Sequence, residues 1–400
     1  LIYLRLENII KCLTKINKMR KNYLFSLVSI LIGFSLILTS CEKDDDPVIP
    51  GDDPQDFQGE ITGAVTLDAA TRYVLTGALV VKDGGTLNIP AGTVIEAVGG
   101  QIAYIAVAQG GKINVNGTAT EPVVMTCSDK TPGSWGGLVI CGKAPTNKAD
   151  AGTAGAEVSG LPYGGTVAGD NSGSIKYLRV EYTGFNYSDT KQFNGVSFFG
   201  VGSGTIVDYL VSYNGKDDGI EFFGGTVNAS HLVSVGSDDD GIDYADGWSG
   251  TGEYWVAINS TKSGIEGSNN GDDGAATPMT DATLRNITVY GMGEKPYYLK
   301  EGAGKVNIDN IVIGGLVDTK QQPMFYADDD DTDALARIAA GDIVITNVKF
   351  LDLQAGQTQA YAGLTFTEDA GATGAGNGIN KPDWLSDALN TVDASTKVID

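Results

Sequence analysis

Lys216-Asp217-Asp218-Gly219-Ile220-Glu221-Phe222 returns, slightly altered, as Asp238-Asp239-Asp240-Gly241-Ile242-Asp243-Tyr244 and again as Thr261-Lys262-Ser263-Gly264-Ile265-Glu266. Phe193-Asn194-Gly195-Val196-Ser197-Phe198 precedes them with the same glycine step but no acid. The glycines stand at 195, 219, 241 and 264, so the unit is 22–24 residues long. A fixed period in this range marks an array of stacked units. A second phase runs between the glycine steps. Leu178, Tyr209, His231, Trp255, Ile287, Ile311 and Val348 take one position, and Val180, Val211, Val233, Ala257, Val289, Ile313 and Phe350 the position two residues on. Apolar spacing of two is the mark of a strand with one buried face. A unit of this length with two or three short strands makes one coil of a right-handed parallel β-helix, an all-β solenoid. Its coils stack about 4.8 Å apart, and each buries its inner face only against its neighbours. A leucine-rich repeat would need leucines at set intervals and a recurring Asn, which are absent. A β-sandwich would show no fixed period.

The pattern extends toward the N-terminus as short apolar runs broken by glycine turns, among them Ala78-Leu79-Val80-Val81, Gly85-Thr86-Leu87-Asn88-Ile89 and Ala103-Tyr104-Ile105-Ala106-Val107. The 55 glycines fit many tight turns. Residues 142–173 and 268–282 are small, polar and Gly-rich and read as loops. Residues 317–342 hold an acidic run, Asp328 to Asp331, and a short capped helix. Pro382-Asp383-Trp384-Leu385 begins a further helical turn that would cover the last coil, since a bare strand edge invites aggregation. The expected organisation is therefore a β-helix over 59–382 and a capping segment over 383–400.

The first 58 residues differ in kind. Met19-Arg20-Lys21 is basic, Tyr23 to Leu38 is almost wholly apolar, and Leu38-Thr39-Ser40-Cys41 follows. This resembles a bacterial lipoprotein signal over 19–40, with 1–18 lying upstream of the natural start and Cys41 as the lipidated residue. The apolar run is shorter than the ~20 residues needed to span a bilayer. Glu42-Lys43-Asp44-Asp45-Asp46 resembles the acidic surface-export signal of Bacteroidetes lipoproteins, within a tether over 41–58. The implied address is the outer membrane, lipid-anchored through Cys41 and facing the cell exterior. The formal net charge of −23 repels nucleic acid and anionic lipid and suits cation binding or solubility. Cys127 and Cys141 each end an apolar run, so a disulfide and two buried thiols are both open.

Ser134-Trp135-Gly136-Gly137-Leu138-Val139-Ile140, Leu178-Arg179-Val180-Glu181-Tyr182 and Asp218-Gly219-Ile220-Glu221-Phe222-Phe223-Gly224-Gly225 resemble a group of β-helix lipoproteins common in Bacteroidetes, over roughly 60–350. The resemblance implies the pectate-lyase-like scaffold. It transfers no activity, because one scaffold hosts many functions.

Stacked coils turn the repeated acids into columns: Glu221, Asp243 and Glu266; Asp218 and Asp240; Asp217 and Asp239, with Lys262 next. Carboxylates about 5 Å apart repel unless a cation or water separates them, and oxygen ligands at that spacing suit Ca2+. Asp217, Asp218, Glu221, Asp239, Asp240, Asp243 and Glu266 are thus the candidate metal ligands. The alternative is Asp-Gly turn chemistry with solvated acids. Tyr244, Trp248, Lys216 and Lys262 are the candidate ligand-binding residues, and Phe185, Tyr187, Tyr297 and Tyr298 are further aromatics expected at turns or loops. Packing beneath loops is the other reading of these rings. His231, the only histidine, falls in an apolar column and is expected in the core. Asp329-x-Asp331-x-Asp333 begins like a calcium loop but has Ala334 where glycine is required. The expected function is binding of an extracellular glycan or an outer-membrane protein partner along one β-helix face, aided by Ca2+. The alternative is a polysaccharide lyase or glycoside hydrolase on the same face.

Overall fold

The computed structural model describes residues 55–99, 102–148, 152–315, 323–351, 353 and 357–376. The leader, Cys41 with its acidic run, and the cap expected over 383–400 lie outside the described residues. Of two compact units, the second, Ile49–Asp400, contains every described residue.

Its strands wind into two long sheets of 15 and 10 strands. The first runs from Gln55–Asp56 through Tyr73–Leu75, Val94–Ala97, Val123–Cys127 and Gly173–Glu181 to Ile343–Leu351 and Phe366–Glu368. The second runs from Gly59–Ile61 through Tyr104–Val107, Leu138–Cys141, Val196–Phe199, Ile220–Phe223, Ile242–Ala245, Ser263–Ser268 and Lys295–Lys300 to Phe325–Ala327. Along both, strands from successive coils pair in parallel, which is a parallel β-helix. Gln55–Asp56 already pairs with Tyr73–Val74, so coiling begins ahead of residue 59.

Register explains the columns of the second sheet. Leu138, Val196, Ile220, Ile242, Ile265, Tyr297 and Phe325 lie one over another, and all point inward and are buried. Ile140, Phe198, Phe222 and Tyr244 form the next inward column. Between them Val139, Ser197, Glu221, Asp243, Glu266, Tyr298 and Tyr326 point outward in one line. The recurring glycine precedes Val196, Ile220, Ile242 and Ile265 because the next coil leaves no space. A Cβ on Gly219 would stand 2.5 Å from the carbonyl oxygen of Gly241, and one on Gly241 2.6 Å from that of Gly264. One core cluster runs the length of the rod, from Phe57 to Leu364.

The first sheet corrects the second phase of the sequence. Leu178 stacks on Leu210, and Val207-Asp208 pair with Ala229-Ser230, which puts Tyr209 over His231 and Leu210 over Leu232. The inward column is therefore Leu178, Leu210, Leu232, Trp255, Ile287, Ile311 and Val348, and Tyr209 and His231 belong to the column one residue earlier. Val211 and Val233 shift likewise: Val180 lies over Ser212 and Ser234, and Val211 over Val233 and Val256. The cause is a left-handed residue in mid-strand, φ 51 at Tyr177, 57 at Tyr209, 52 at His231 and 57 at Tyr254, which breaks the period-two alternation at that point. His231 is consequently no core residue. It is half-buried, with its ring stacked between Tyr209 at 4.2 Å and Tyr254 at 5.0 Å and its Nδ1 2.6 Å from Asp208 Oδ1.

Three further readings are resolved. Cys127 and Cys141 are buried free thiols on strands of different sheets. Residues 142–173 hold a small antiparallel pair, Ala154–Gly155 with Pro162–Tyr163. The helix spans Thr332–Ala340, capped by Asp331, which accepts from the Ala334 amide at 2.9 Å.

Candidate functional site

The outward column of the second sheet changes character along the rod. Val139 is covered by a patch that includes Ala156, Val158 and Tyr163 of the 142–173 excursion. Beyond this cover Glu221, Asp243 and Glu266 form the floor of a groove of 390 Å³, walled by Glu157, Asn194, Asp217, Asp218, Asp239, Asp240, Lys262, Lys295, Tyr298 and Lys300. All seven candidate acids line it.

Backbone stacking places the second acid row. The Asp240 amide donates to Asp218 Oδ1 at 2.9 Å, and the Ser263 amide to Asp240 Oδ1 at 2.5 Å. Asp218, Glu221, Asp240, Asp243 and Glu266 are buried. Three groups bring ligand oxygens within 4.8 Å of one another: Asp217, Asp218 and Asp239; Asp218, Glu221 and Asp243; Asp240, Asp243 and Glu266. Each spacing can close on one cation. Asn194 donates its amide to Glu221 Oε2 at 2.5 Å, and Lys262 Nζ sits 2.6 Å from Asp239 Oδ2. Lys300 Nζ contacts Glu266 Oε1 and stands 3.6 Å from Glu301 Oε1. Oδ1 of Asp243 is buried and has no hydrogen-bond partner among the described residues.

Burial and mutual repulsion set the electrostatics. Asp218 and Glu221 are held well above the ordinary carboxyl range, first by loss of water and then by the charges of Asp240 and Asp243 respectively. Asp240 and Asp243 move the same way, again through burial first. Glu266 is pushed up to about 7 by burial and the Asp243 charge, against the pull of Lys300. Asp217 reaches about 7 by burial and the Asp239 charge. The ammonium of Lys300 is raised by Glu266 and Asp243, which outweigh its own burial.

The expected ligand-binding residues divide. Lys262 lines the groove, whereas Lys216 is exposed and outside its lining. Tyr244 and Trp248 are wholly buried, which corrects their expected exposure. Strand alternation is the reason: with Asp243 outward, Tyr244 must point inward. There its hydroxyl meets that of Tyr297 at 2.7 Å, while Trp248 packs on Phe222 and donates Nε1 to the Val227 carbonyl at 3.2 Å. Tyr297 is buried, and Phe185 and Tyr187 are half-buried. Of the aromatics, Tyr298 alone lines the groove, with Lys295 Nζ 3.6 Å from its ring centre. Sequence reasoning missed Lys295, Lys300, Glu157 and Asn194. Asp328 and Asp329 accept phenol hydroxyls, Asp328 from Tyr298 and Tyr326 and Asp329 from Tyr361.

A groove continues past the ladder toward Lys148, Tyr163, Phe223, Asp246 and Glu301. Asp246 lies 4.0 Å from Lys148 and 3.4 Å from the Tyr163 hydroxyl, and burial lifts its carboxyl to about 6.

No curated protein matches the chain in sequence. Among solved structures, the Dettilon tailspike protein is 13% identical, with 79% of this chain and 61% of that chain covered and a TM-score of 0.28. This chain thus spans less than two thirds of the tailspike's length. The A-module of the mannuronan C-5 epimerase AlgE4 of Azotobacter vinelandii is 14% identical, covering 78% and 83%, with a TM-score of 0.36. A mutant of the periplasmic alginate epimerase AlgG is 12% identical, covering 73% and 77%, with a TM-score of 0.27. The family model of the pectate-lyase-like β-helix domain matches residues 59–389. From its stacked coils and this match over most of its length, the chain belongs to the family of pectate-lyase-like β-helix domains.

Proposed function

We propose that the protein is a cell-surface lipoprotein that holds an extracellular polysaccharide along the groove of its second sheet, with Ca2+ between the acids and the sugar chain, and does not cleave it. The observation that carries this reading is the buried oxygen of Asp243, unpartnered among stacked carboxylates. A buried polar oxygen without a partner is costly, and an ionised one more so. Lys262 pairs with Asp239, and Lys300 with Glu266 and Glu301, so neither ammonium is in an ion pair with Asp243 among the described residues. Ca2+ accepts six to eight oxygens, so a triad of carboxylates leaves places for sugar hydroxyls or carboxylates. Tyr298, at the end of the ladder, brings an aromatic ring to the groove wall. The strongly negative surface favours a ligand that is neutral or bridged by the cation. The lipid anchor at Cys41, the acidic run after it and the outer-membrane, outward-facing address rest on the leader sequence, as does the kinship with Bacteroidetes lipoproteins. An outer-membrane protein is the other partner this address allows.

A second reading, glycoside hydrolysis, is favoured by Glu266, which stands among the stacked acids of the groove with its carboxyl held at about 7, where an acid can give up a proton near neutrality. A lyase fits less well, because Lys300 is held charged and so is a poor base. Electrophoresis through gels containing acidic or neutral polysaccharides separates these readings. Binding predicts migration slowed by at least one polysaccharide with Ca2+ and restored by a chelator, with no new reducing ends. Reducing ends establish hydrolysis, and unsaturated products a lyase. Unchanged migration throughout would overturn the proposal.

A further inference from the structure

Two of the carboxylate triads share one residue. Asp243 belongs to the group with Asp218 and Glu221 and to the group with Asp240 and Glu266. The two differ in their counter-charge. In the first, the hydrogen-bond donors are neutral: the Asn194 amide on Glu221 and the Asp240 backbone N–H on Asp218. None of its three acids is in an ion pair among the described residues. In the second, the ammonium of Lys300 sits on Glu266 and its charge bears on Asp243. Lys262 holds Asp239 of the remaining group in the same manner. Adjacent coils are about 4.8 Å apart, so two divalent ions in neighbouring triads would each need Asp243, and in one of the two Lys300 already holds Glu266.

Resting on the reading of the groove as a cation site, we propose that Lys300 is a built-in counter-ion that closes the Asp240, Asp243 and Glu266 triad, so that the chain takes one divalent ion, at Asp218, Glu221 and Asp243. The unpartnered Asp243 oxygen is then a ligand of that ion. Removing the ammonium opens the second triad, and Asp243 bridges two ions. The lysine thus sets how many ions the groove presents to its ligand.

Calorimetric titration of the full-length protein with Ca2+ counts the ions. The expected result is one per chain for the wild type and for Lys300→Arg, and two for Lys300→Met and Lys300→Gln. Glu221→Gln should lose the wild-type ion. Two ions in the wild type, or one in every Lys300 variant that retains the wild-type circular dichroism, would overturn the role of Lys300 and leave the cation site standing. No ion in the wild type would overturn both. The wild-type count needs no variant to fold.

Discussion

Trp255→Ala is expected to lower folding stability by about 3–5 kcal/mol, the range for deleting a large buried aromatic ring. The side chain is wholly buried, lies parallel to Phe222 at 5.6 Å and touches Trp248 at 5.9 Å. Its Nε1 also donates to the Ala229 carbonyl at 3.0 Å, so the truncation leaves that acceptor bare. A globular core can collapse on a cavity from many sides. A coil of a β-helix is covered only by the coil before and the coil after it, and Phe222 and Trp255 come from different coils. Denaturant unfolding of the variant measures the loss. A value within about 0.5 kcal/mol of the wild type, the range of a surface substitution, would mean that these rings are not stacked in one interior.

Without divalent cations, the protein is expected to lose stability as pH rises from about 4 to above 7, and to regain it on addition of Ca2+. Glu266 titrates ordinarily near 4.5 and at about 7 in the fold, and Asp217 near 3.8 and at about 7. A carboxyl whose pKa is raised on folding binds its proton more tightly in the folded state. Its stabilisation is whole below the ordinary value and is lost as pH passes through the folded value. The two groups act in the same direction, and the loss is a few kcal/mol. A cation binding the ionised groove reverses the slope, and at a hundredfold excess over its dissociation constant it contributes about 2.7 kcal/mol. Asp243→Asn removes one charge from the ladder. The variant should be more stable than the wild type at pH 8 in chelator and should no longer respond to Ca2+. Melting curves at pH 5 and pH 8, with Ca2+ or chelator, check each sign. A wild type that melts higher at pH 8 than at pH 5 in chelator would contradict this.

The parallel β-helix and the acid columns were legible because each coil of the 193–266 stretch repeats a glycine that its neighbour's carbonyl forbids to be larger, followed by strict alternation. Glu221, Asp243 and Glu266 therefore fell into register by spacing alone. Tyr244 and Trp248 were misplaced because nearby glycines suggested turns, although the outward Asp243 already fixed Tyr244 inward. The slip at Tyr209 and His231 came from a left-handed residue inside a strand. Asn286, Asn310 and Asn347 hold the same position with φ 57 to 59, and Asn tolerates that conformation well, so those residues carried the missing signal. Tyr298 was read as a ring at a turn, but its place at the end of the acid ladder was not legible, and neither was Lys300. The 268–282 excursion separates their strand from the coil of Glu266, and only the pairing of Glu266 with Tyr298 brings them back.

The most direct test of the account is the anomalous difference map of a crystal grown in Ca2+. A peak is expected among the carboxylates of Asp218, Glu221 and Asp243, absent from crystals grown in chelator. A map with no peak in this groove, or with ions only at the Asp328–Asp331 run, would contradict it.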